Sequence, residues 1–120
     1  GERLATRFDN VQRDGIWMNP DGVRIEEQTI CEYKFTSMSA NKRPEENLKW
    51  MWQLKSYCWA FGFTKAEMEI LYYLGDYSRP YSPIYKAFEF EFSLQELKEN
   101  WIMLLNNKVD AENWLKERSK

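Results

Sequence analysis

Three short stretches of the sequence carry side chains that together can bind one metal ion and one phosphate group. The stretches are Asn19-Pro20-Asp21-Gly22, Cys31-Glu32-Tyr33-Lys34 and Gln53-Leu54-Lys55-Ser56-Tyr57. Asp21 and Glu32 supply carboxylates, which Mg²⁺ prefers as ligands, and Lys34 can activate a water molecule and offset charge on a phosphate. Gln53 and Tyr57 can donate hydrogen bonds to phosphate or orient a metal-bound water. This combination suits metal-assisted hydrolysis of a phosphodiester.

The first two stretches are predicted to lie on a β-hairpin. Residues 29–36 are rich in β-branched and aromatic side chains, and residues 22–26 alternate apolar and polar ones. With a two-residue turn just before the second strand, Asp21 lies opposite Lys34. Opposed Cβ atoms are about 5 Å apart and diagonal ones about 7 Å, so these two residues and Glu32 would share one small volume.

The strand period of two predicts one chemical face and one packed face along this second strand. Glu32 and Lys34 point to the same face as Ile30. The residues predicted to form the packed face are Cys31, Tyr33 and Phe35. The thiol of Cys31 is therefore expected to act as a small buried hydrophobe, not as a nucleophile.

The third stretch is predicted to lie on a helix over residues 45–62, with Pro44 in its first turn and Gly62 as its C-cap. Four apolar side chains recur at the helical period and predict the buried stripe. They are Met51, Leu54, Cys58 and Phe61. Gln53 and Tyr57 lie off that stripe, with Trp50 one turn earlier, and form a second face that can approach the site.

The motifs Pro20-Asp21-Gly22, Glu32-x-Lys34 and Gln53-x-x-x-Tyr57, in this order, resemble those of the PD-(D/E)xK nuclease superfamily, in its RecB-like and phage-exonuclease branch. The match is best over residues 15–57. Each motif alone is common, because alternating charges often mark a solvated strand face and Pro-Asp-Gly is an ordinary turn. Their joint occurrence on suitable elements carries the resemblance.

The resemblance implies an α/β fold with a restriction-endonuclease-like core, in which a mixed central β-sheet is flanked by α-helices. It also implies a divalent-metal-dependent DNA nuclease, acting in phage-type DNA processing or recombination. Mg²⁺ or Mn²⁺ would bind Asp21, Glu32 and the backbone carbonyl of Tyr33. The catalytic lysine would be Lys34, with Gln53 and Tyr57 as accessory catalytic residues.

The chain departs from that family pattern in two respects. Many RecB-like members carry a His before the Asp, and some bind an iron–sulfur cluster through four Cys, but this chain has no His and only Cys31 and Cys58. No cluster is expected. Members usually begin with a helix that carries an acidic site residue, and only Glu2 can take that role here. A minimal or N-terminally shortened member is therefore expected.

The second half of the chain is predicted to add two strands and two helices. The strands cover residues 67–74 and 87–92, and the second alternates Phe and Glu in the manner of a half-buried edge strand. A capping box of Ser93 and Glu96 predicts a helix that ends at Asn106-Asn107. A short helix from Asp110 follows, and the predicted role of its Trp114 and Leu115 is to pack back onto the domain or onto a neighbouring subunit.

Length and composition limit the class of protein. The 120 residues are expected to form a single domain, 1–120. The lack of His excludes Ser-His and Cys-His triads and His-based zinc sites. No apolar run approaches the roughly 20 residues of a membrane span, and two Cys argue against a disulfide scaffold. A cytoplasmic protein without membrane contact is expected.

The net charge of −2 and the pI of 5.3 weigh against a protein that coats nucleic acid. DNA is nevertheless the expected partner, because metal ions supply positive charge and several basic residues border the site. They are Lys34, Lys42, Arg43, Lys49 and Lys55. Association into a homo-oligomer or with a protein partner stays open.

Two other functions stay open on the sequence alone. One is a catalytically silent nucleic-acid-binding module that keeps the same fold. The other is a protein-interaction domain that uses an aromatic surface. Aromatic residues make up 17% of the chain and can stack on unpaired bases, although most are expected in the core.

Overall fold

The computed structural model describes residues 10–118, which form six strands and two α-helices. The strands are β1 (Val11–Arg13), β2 (Ile16–Met18), β3 (Gly22–Arg24), β4 (Thr29–Thr36), β5 (Lys65–Tyr72) and β6 (Ile84–Glu91). The helices are α1 (Leu48–Phe61), which a 3₁₀ turn at Pro44–Glu46 precedes, and α2 (Leu94–Arg118).

The main sheet has four strands in the order β3-β4-β5-β6. The β4–β5 pair is parallel and the other two pairs are antiparallel, so the sheet is mixed. The parallel pair requires a crossover connection, which α1 supplies. The predicted α/β class with a mixed sheet is confirmed. A separate hairpin of β1 and β2 precedes the sheet.

The core lies between one face of this sheet and α1. Alternate side chains of β4 and β5 are buried on that face and cluster with the apolar stripe of α1, while α2 packs against α1. Fully buried members of the cluster include Ile30, Leu54, Met68, Ile70 and Tyr72. The strict alternation in β5 buries every second residue, as expected for a strand with one covered face.

The hairpin register differs from the predicted one. Arg24 pairs with Thr29 and Gly22 with Cys31, so the next position places Asp21 opposite Glu32, not opposite Lys34. The connection is a four-residue turn over residues 25–28, closed by a 3.1 Å hydrogen bond between its ends. The prediction assumed a two-residue turn, and the partner of each β3 residue is therefore displaced by two residues along β4, which keeps every side chain on its predicted face.

The predicted packed face of β4 is also wrong in part. Cys31 is buried, but Tyr33 is 48% exposed and Phe35 is 70% exposed. The reason is that α1 covers the face of Ile30 and Glu32, so that the same face serves for packing and for the polar site. The strand pattern alone does not show which face of a sheet a helix will cover.

The helix α1 has the predicted ends with one change. Gly62 adopts the left-handed conformation at φ 72° and donates its N–H to the last turn, as a C-cap glycine does. Residues 44–46 form the 3₁₀ turn, and Asn47 caps α1 by accepting a 3.2 Å hydrogen bond from the N–H of Trp50.

The two helices predicted after residue 93 are one helix. The N–H of Glu96 donates to Ser93 at 3.1 Å, as predicted, but α2 then continues through Asn107 to Arg118. Asn is only a weak helix breaker, and neither Gly nor Pro follows it. Trp114 and Leu115 are more than half exposed and are not packed into the core.

The predicted strands are present with shifted ends, since β5 spans Lys65–Tyr72 and β6 spans Ile84–Glu91. As predicted, β6 is an edge strand whose Phe88 and Phe90 are partly buried. Within residues 10–118 no helix is both long and apolar enough to cross a membrane.

Substitution of Asn107 tests the continuity of α2. In a helix interior, Asn107→Ala should raise the free energy of unfolding by about 0.5 kcal/mol, and Asn107→Gly should lower it by a few tenths. At a left-handed helix end the order would reverse, because Gly is preferred there. Urea denaturation and far-UV circular dichroism measure the two effects, and higher stability of the Gly variant would contradict a single helix.

Candidate metal and phosphate site

The five side chains predicted to act together come from three elements and meet at one place. The loop before β3 carries Asp21, β4 carries Glu32 and Lys34, and α1 carries Gln53 and Tyr57. The crossover of α1 over β4 lays the polar face of the helix against the polar end of the strand. Glu2, the other predicted acidic residue, lies outside the described residues.

Reciprocal hydrogen bonds hold Asp21 against β4. The N–H of Asp21 donates to Oε1 of Glu32 at 2.9 Å, and the N–H of Tyr33 donates to Oδ2 of Asp21 at 2.8 Å. In a strand, the N–H and C=O of one residue point to the same side. The carbonyl of Tyr33 is therefore directed toward the side on which both carboxylates lie.

Lys34 bridges the strand and the helix. Its Nζ donates to Oε1 of Gln53 at 2.7 Å and lies 3.6 Å from Oε2 of Glu32. The same nitrogen lies 5.9 Å from the ring centroid of Trp50, within reach of a cation–π contact. With 18% of its side chain exposed, Lys34 is held in place and still reaches solvent.

Tyr57 is buried next to Gln53, with 6% of its surface exposed. Burial, together with the negative charge of Glu32, raises the pKa of Tyr57 to about 12, although hydrogen bonds with Gln53 and with the backbone of Asn19 lower it in part. The phenol is therefore neutral at physiological pH and can donate a hydrogen bond. The contact with Asn19 was not predicted, although Asn19 lies only two residues before Asp21 in the same stretch.

Glu32 is the most unusual group of the site, because only 3% of its surface is exposed. Burial raises its pKa from 4.5 to about 7, and the carboxylate of Asp21 adds to this, while the backbone N–H of Asp21 and the charge of Lys34 oppose it. Because the N–H of Asp21 and the charge of Lys34 offset the negative charge of Glu32 only in part, the buried carboxylate is electrostatically suited to bind a cation.

The donor set fits a hard divalent cation. Two carboxylates and one backbone carbonyl are all oxygen donors, which Mg²⁺ and Mn²⁺ prefer to nitrogen or sulfur. Among the described residues, no three His, Cys, Asp or Glu side chains are grouped for metal binding. The groups that would hold a cation here are the carboxylates of Asp21 and Glu32 and the carbonyl of Tyr33, and Mg²⁺ commonly completes such a set with water or substrate oxygens.

The cysteines take no part in this arrangement. Both are buried free thiols, and burial raises the pKa of Cys31 to about 11 and that of Cys58 to about 12. A protonated, buried thiol is a poor nucleophile.

Comparisons of the chain with family models, with curated proteins and with solved structures give no match. The geometry of the site and the order of its motifs are therefore the basis for assigning a function.

The metal-free protein should lose stability as pH rises, relative to Glu32→Gln. The folded-state pKa of about 7 exceeds the ordinary value of 4.5, so the folded chain binds this proton more tightly than the unfolded chain does. The contribution is fully present below pH 4.5 and is lost as pH rises through 7, by at most about 3 kcal/mol.

Urea denaturation in EDTA between about pH 5 and 8 measures this difference. The amide introduced by Glu32→Gln keeps an acceptor for the N–H of Asp21, and Glu89→Gln, on the exposed part of β6, is the matched control. Parallel curves for wild type and Glu32→Gln would contradict the raised pKa.

Proposed function

We propose that the chain is a divalent-metal-dependent nuclease with a restriction-endonuclease-like core, which hydrolyses phosphodiester bonds in DNA. The observation that carries this proposal is the placement of Lys34. Its ammonium lies between Gln53 of α1 and Glu32 of β4, and Glu32 in turn accepts a hydrogen bond from the backbone N–H of Asp21 in a separate loop. The lysine of a Glu-x-Lys pair on a solvent-exposed strand face would not be expected to have these partners.

Asp21, Glu32 and the Tyr33 carbonyl would hold Mg²⁺ or Mn²⁺. When bound, the cation polarises a phosphate oxygen and lowers the pKa of water. Because Glu32 is buried and hydrogen-bonded through Oε1, its other oxygen is the one left for a ligand or for Lys34. Asp21 is fixed by Tyr33 in the same way, which reduces the entropy lost when a ligand binds.

Lys34 is the group that would act on the reacting phosphate. Its ammonium can orient the attacking water and stabilise the negative charge that develops on the phosphate oxygens. Gln53 accepts one of its three N–H bonds and thereby fixes the direction of the other two. Tyr57 hydrogen-bonds with the side chain of Gln53, so both are positioning residues.

DNA is the proposed substrate although the chain is acidic overall. The net charge of −2 makes tight, nonspecific binding unfavourable, so that affinity would depend on the metal ion and on contacts near the site. Such a protein suits processing of a strand that is presented to it, in keeping with the expected phage-type DNA processing.

Mn²⁺ should raise the thermal unfolding temperature of the wild type. A ligand at about 100 times its Kd stabilises the folded state by about 2.7 kcal/mol through mass action. Asp21→Asn should lose most of this shift, whereas Asp110→Asn on the exposed part of α2 should keep it. Differential scanning fluorimetry over a Mn²⁺ titration measures the shift. An equal response of both variants would contradict the proposed ligands.

Cleavage should require both the metal and Lys34. Lys34→Met should reduce the rate by about 10²-fold or more, because the loss of a positioned acid–base group has effects of this size. Lys98→Met, an exposed position on α2, is the matched control and should leave the rate unchanged.

The measurement is degradation of linear and circular DNA, single- and double-stranded, with Mn²⁺, Mg²⁺ or EDTA. The contrast between linear and circular DNA separates exonuclease from endonuclease action. A Lys34→Met protein as active as wild type would refute the mechanism, and a wild type without activity that still bound DNA would favour a silent binding module.

A further inference from the structure

Four aromatic side chains form an exposed surface on the face of the sheet opposite α1. We call the aromatic surface the side chains of Tyr33, Phe35, Tyr73 and Tyr85, which are 48%, 70%, 36% and 59% exposed. Phe35 and Tyr73 are stacked, with ring centroids 4.6 Å apart. Phe35 aligns with Leu71 and Leu71 with Tyr85 across neighbouring strands, so these side chains share one face.

The aromatic surface and the candidate site lie on opposite faces of the sheet, and β4 contributes residues to both. Tyr33 and Phe35 alternate along β4 with Glu32 and Lys34, so the two pairs point to opposite faces. On its other side β5 pairs with all of β4, but β3 pairs with β4 only as far as Cys31. Among residues 10–118, no strand pairs with the β3 side of residues 33–36.

Along this part of β4, no strand of residues 10–118 separates the two faces of the sheet. The N–H of Tyr33 on this side donates to Asp21, so this edge of β4 begins at the candidate metal ligand. A flexible chain that places one of its groups at Asp21 can therefore turn over the edge of β4 and reach Phe35. A rigid duplex cannot follow such a sharp path, because DNA stays stiff over about 150 base pairs.

Charge divides this face into two ends. At the end far from Tyr73, a groove of about 770 Å³ is lined by Glu26, Glu67, Glu89 and Glu91 together with Arg24 and Lys65. Near the aromatic surface, Glu69 accepts a hydrogen bond from the hydroxyl of Tyr85. The groove end carries more carboxylates than the aromatic end and therefore repels a polyanion more strongly.

The loop that follows β5 carries one cation, Arg79, and one carboxylate, Asp76, so it adds no net charge. It is tied to the end of β4, because the hydroxyl of Tyr77 donates to the carbonyl of Ser37 at 2.7 Å. Arg79 in this loop is exposed and lies 5.5 Å from the ring centroid of Tyr81. An Arg beside aromatic rings is a common way of binding bases and phosphates together.

We propose that the aromatic surface stacks the unpaired bases of a single DNA strand that crosses the free edge of β4 and places a phosphate in the candidate site. This inference rests on the proposed nuclease function and specifies its substrate as single-stranded next to the cleaved bond. Exposed rings stack on any base, so the contact is independent of sequence. Phe35 is the most exposed of the four rings and is adjacent to Lys34 in the chain, so it contributes most.

The test is a cycle that removes the ring from the protein and the bases from the DNA. Wild type and Phe35→Ala are titrated with a labelled single strand of about 12 nucleotides and with an abasic strand of equal length. Ca²⁺ replaces Mg²⁺ to occupy the cation site during the titration. Phe35→Ala should lower the affinity for the normal strand about tenfold and leave the affinity for the abasic strand unchanged.

Two control variants make the result specific. Phe35→Trp keeps a ring and should restore the affinity of wild type. Trp114→Ala removes a ring that is 53% exposed on α2, and it should have no effect. Because Phe35 is 70% exposed, its loss should leave the unfolding temperature within a few degrees of wild type.

The outcomes separate the inference from the proposed function. Metal-dependent cleavage with equal affinities of wild type and Phe35→Ala for the normal strand would overturn the stacking inference alone and leave the surface to a protein partner. An equal loss of affinity for closed duplex DNA would overturn the assignment to a single strand. If the wild type neither bound nor cleaved DNA, both the function and the inference would fail.

Discussion

The burial of Glu32 is the constraint on which the site depends. Its carboxylate lies in the layer between β4 and α1, where most neighbours are apolar, and its polar contacts include the N–H of Asp21 and the ammonium of Lys34. Burial of a charge is costly unless it is paired or binds a metal. The loop before β3, the side chain of Lys34 and the polar face of α1 are all arranged around this one group.

A consequence is that the polar site lies within the core face of the sheet and not on a separate solvent face. The apolar stripe of α1 packs on the face of the sheet that also carries Lys34, and Gln53 of α1 contacts Lys34 on that face. Packing of the apolar stripe therefore fixes the distance between the helix and the strand, and with it the position of the catalytic candidates. Sites supported by packed elements are held more precisely than sites on loops.

The same arrangement leaves aromatic side chains exposed on the other face. With α1 on the site face and β3 ending early, Tyr33 and Phe35 are exposed beside a strand edge with which no strand of residues 10–118 pairs. Clusters of exposed aromatic residues are uncommon on monomeric proteins and usually mark binding surfaces. The position of the crossover helix α1 on one face of the sheet thus accounts both for the packed core on that face and for the exposed aromatic surface on the other.

The sequence by itself determined the elements with strong local signals. Strand β4, the Gly62 cap of α1, the Ser93 cap of α2 and the approach of Gln53 to Lys34 follow from composition, period and motif order, which act over a few residues. Only the tertiary structure decided the pairing of Asp21 with Glu32, the continuity of α2 and the open face of β4. These depend on turn length and on which sheet face α1 covers, and both are set by packing between segments distant in sequence.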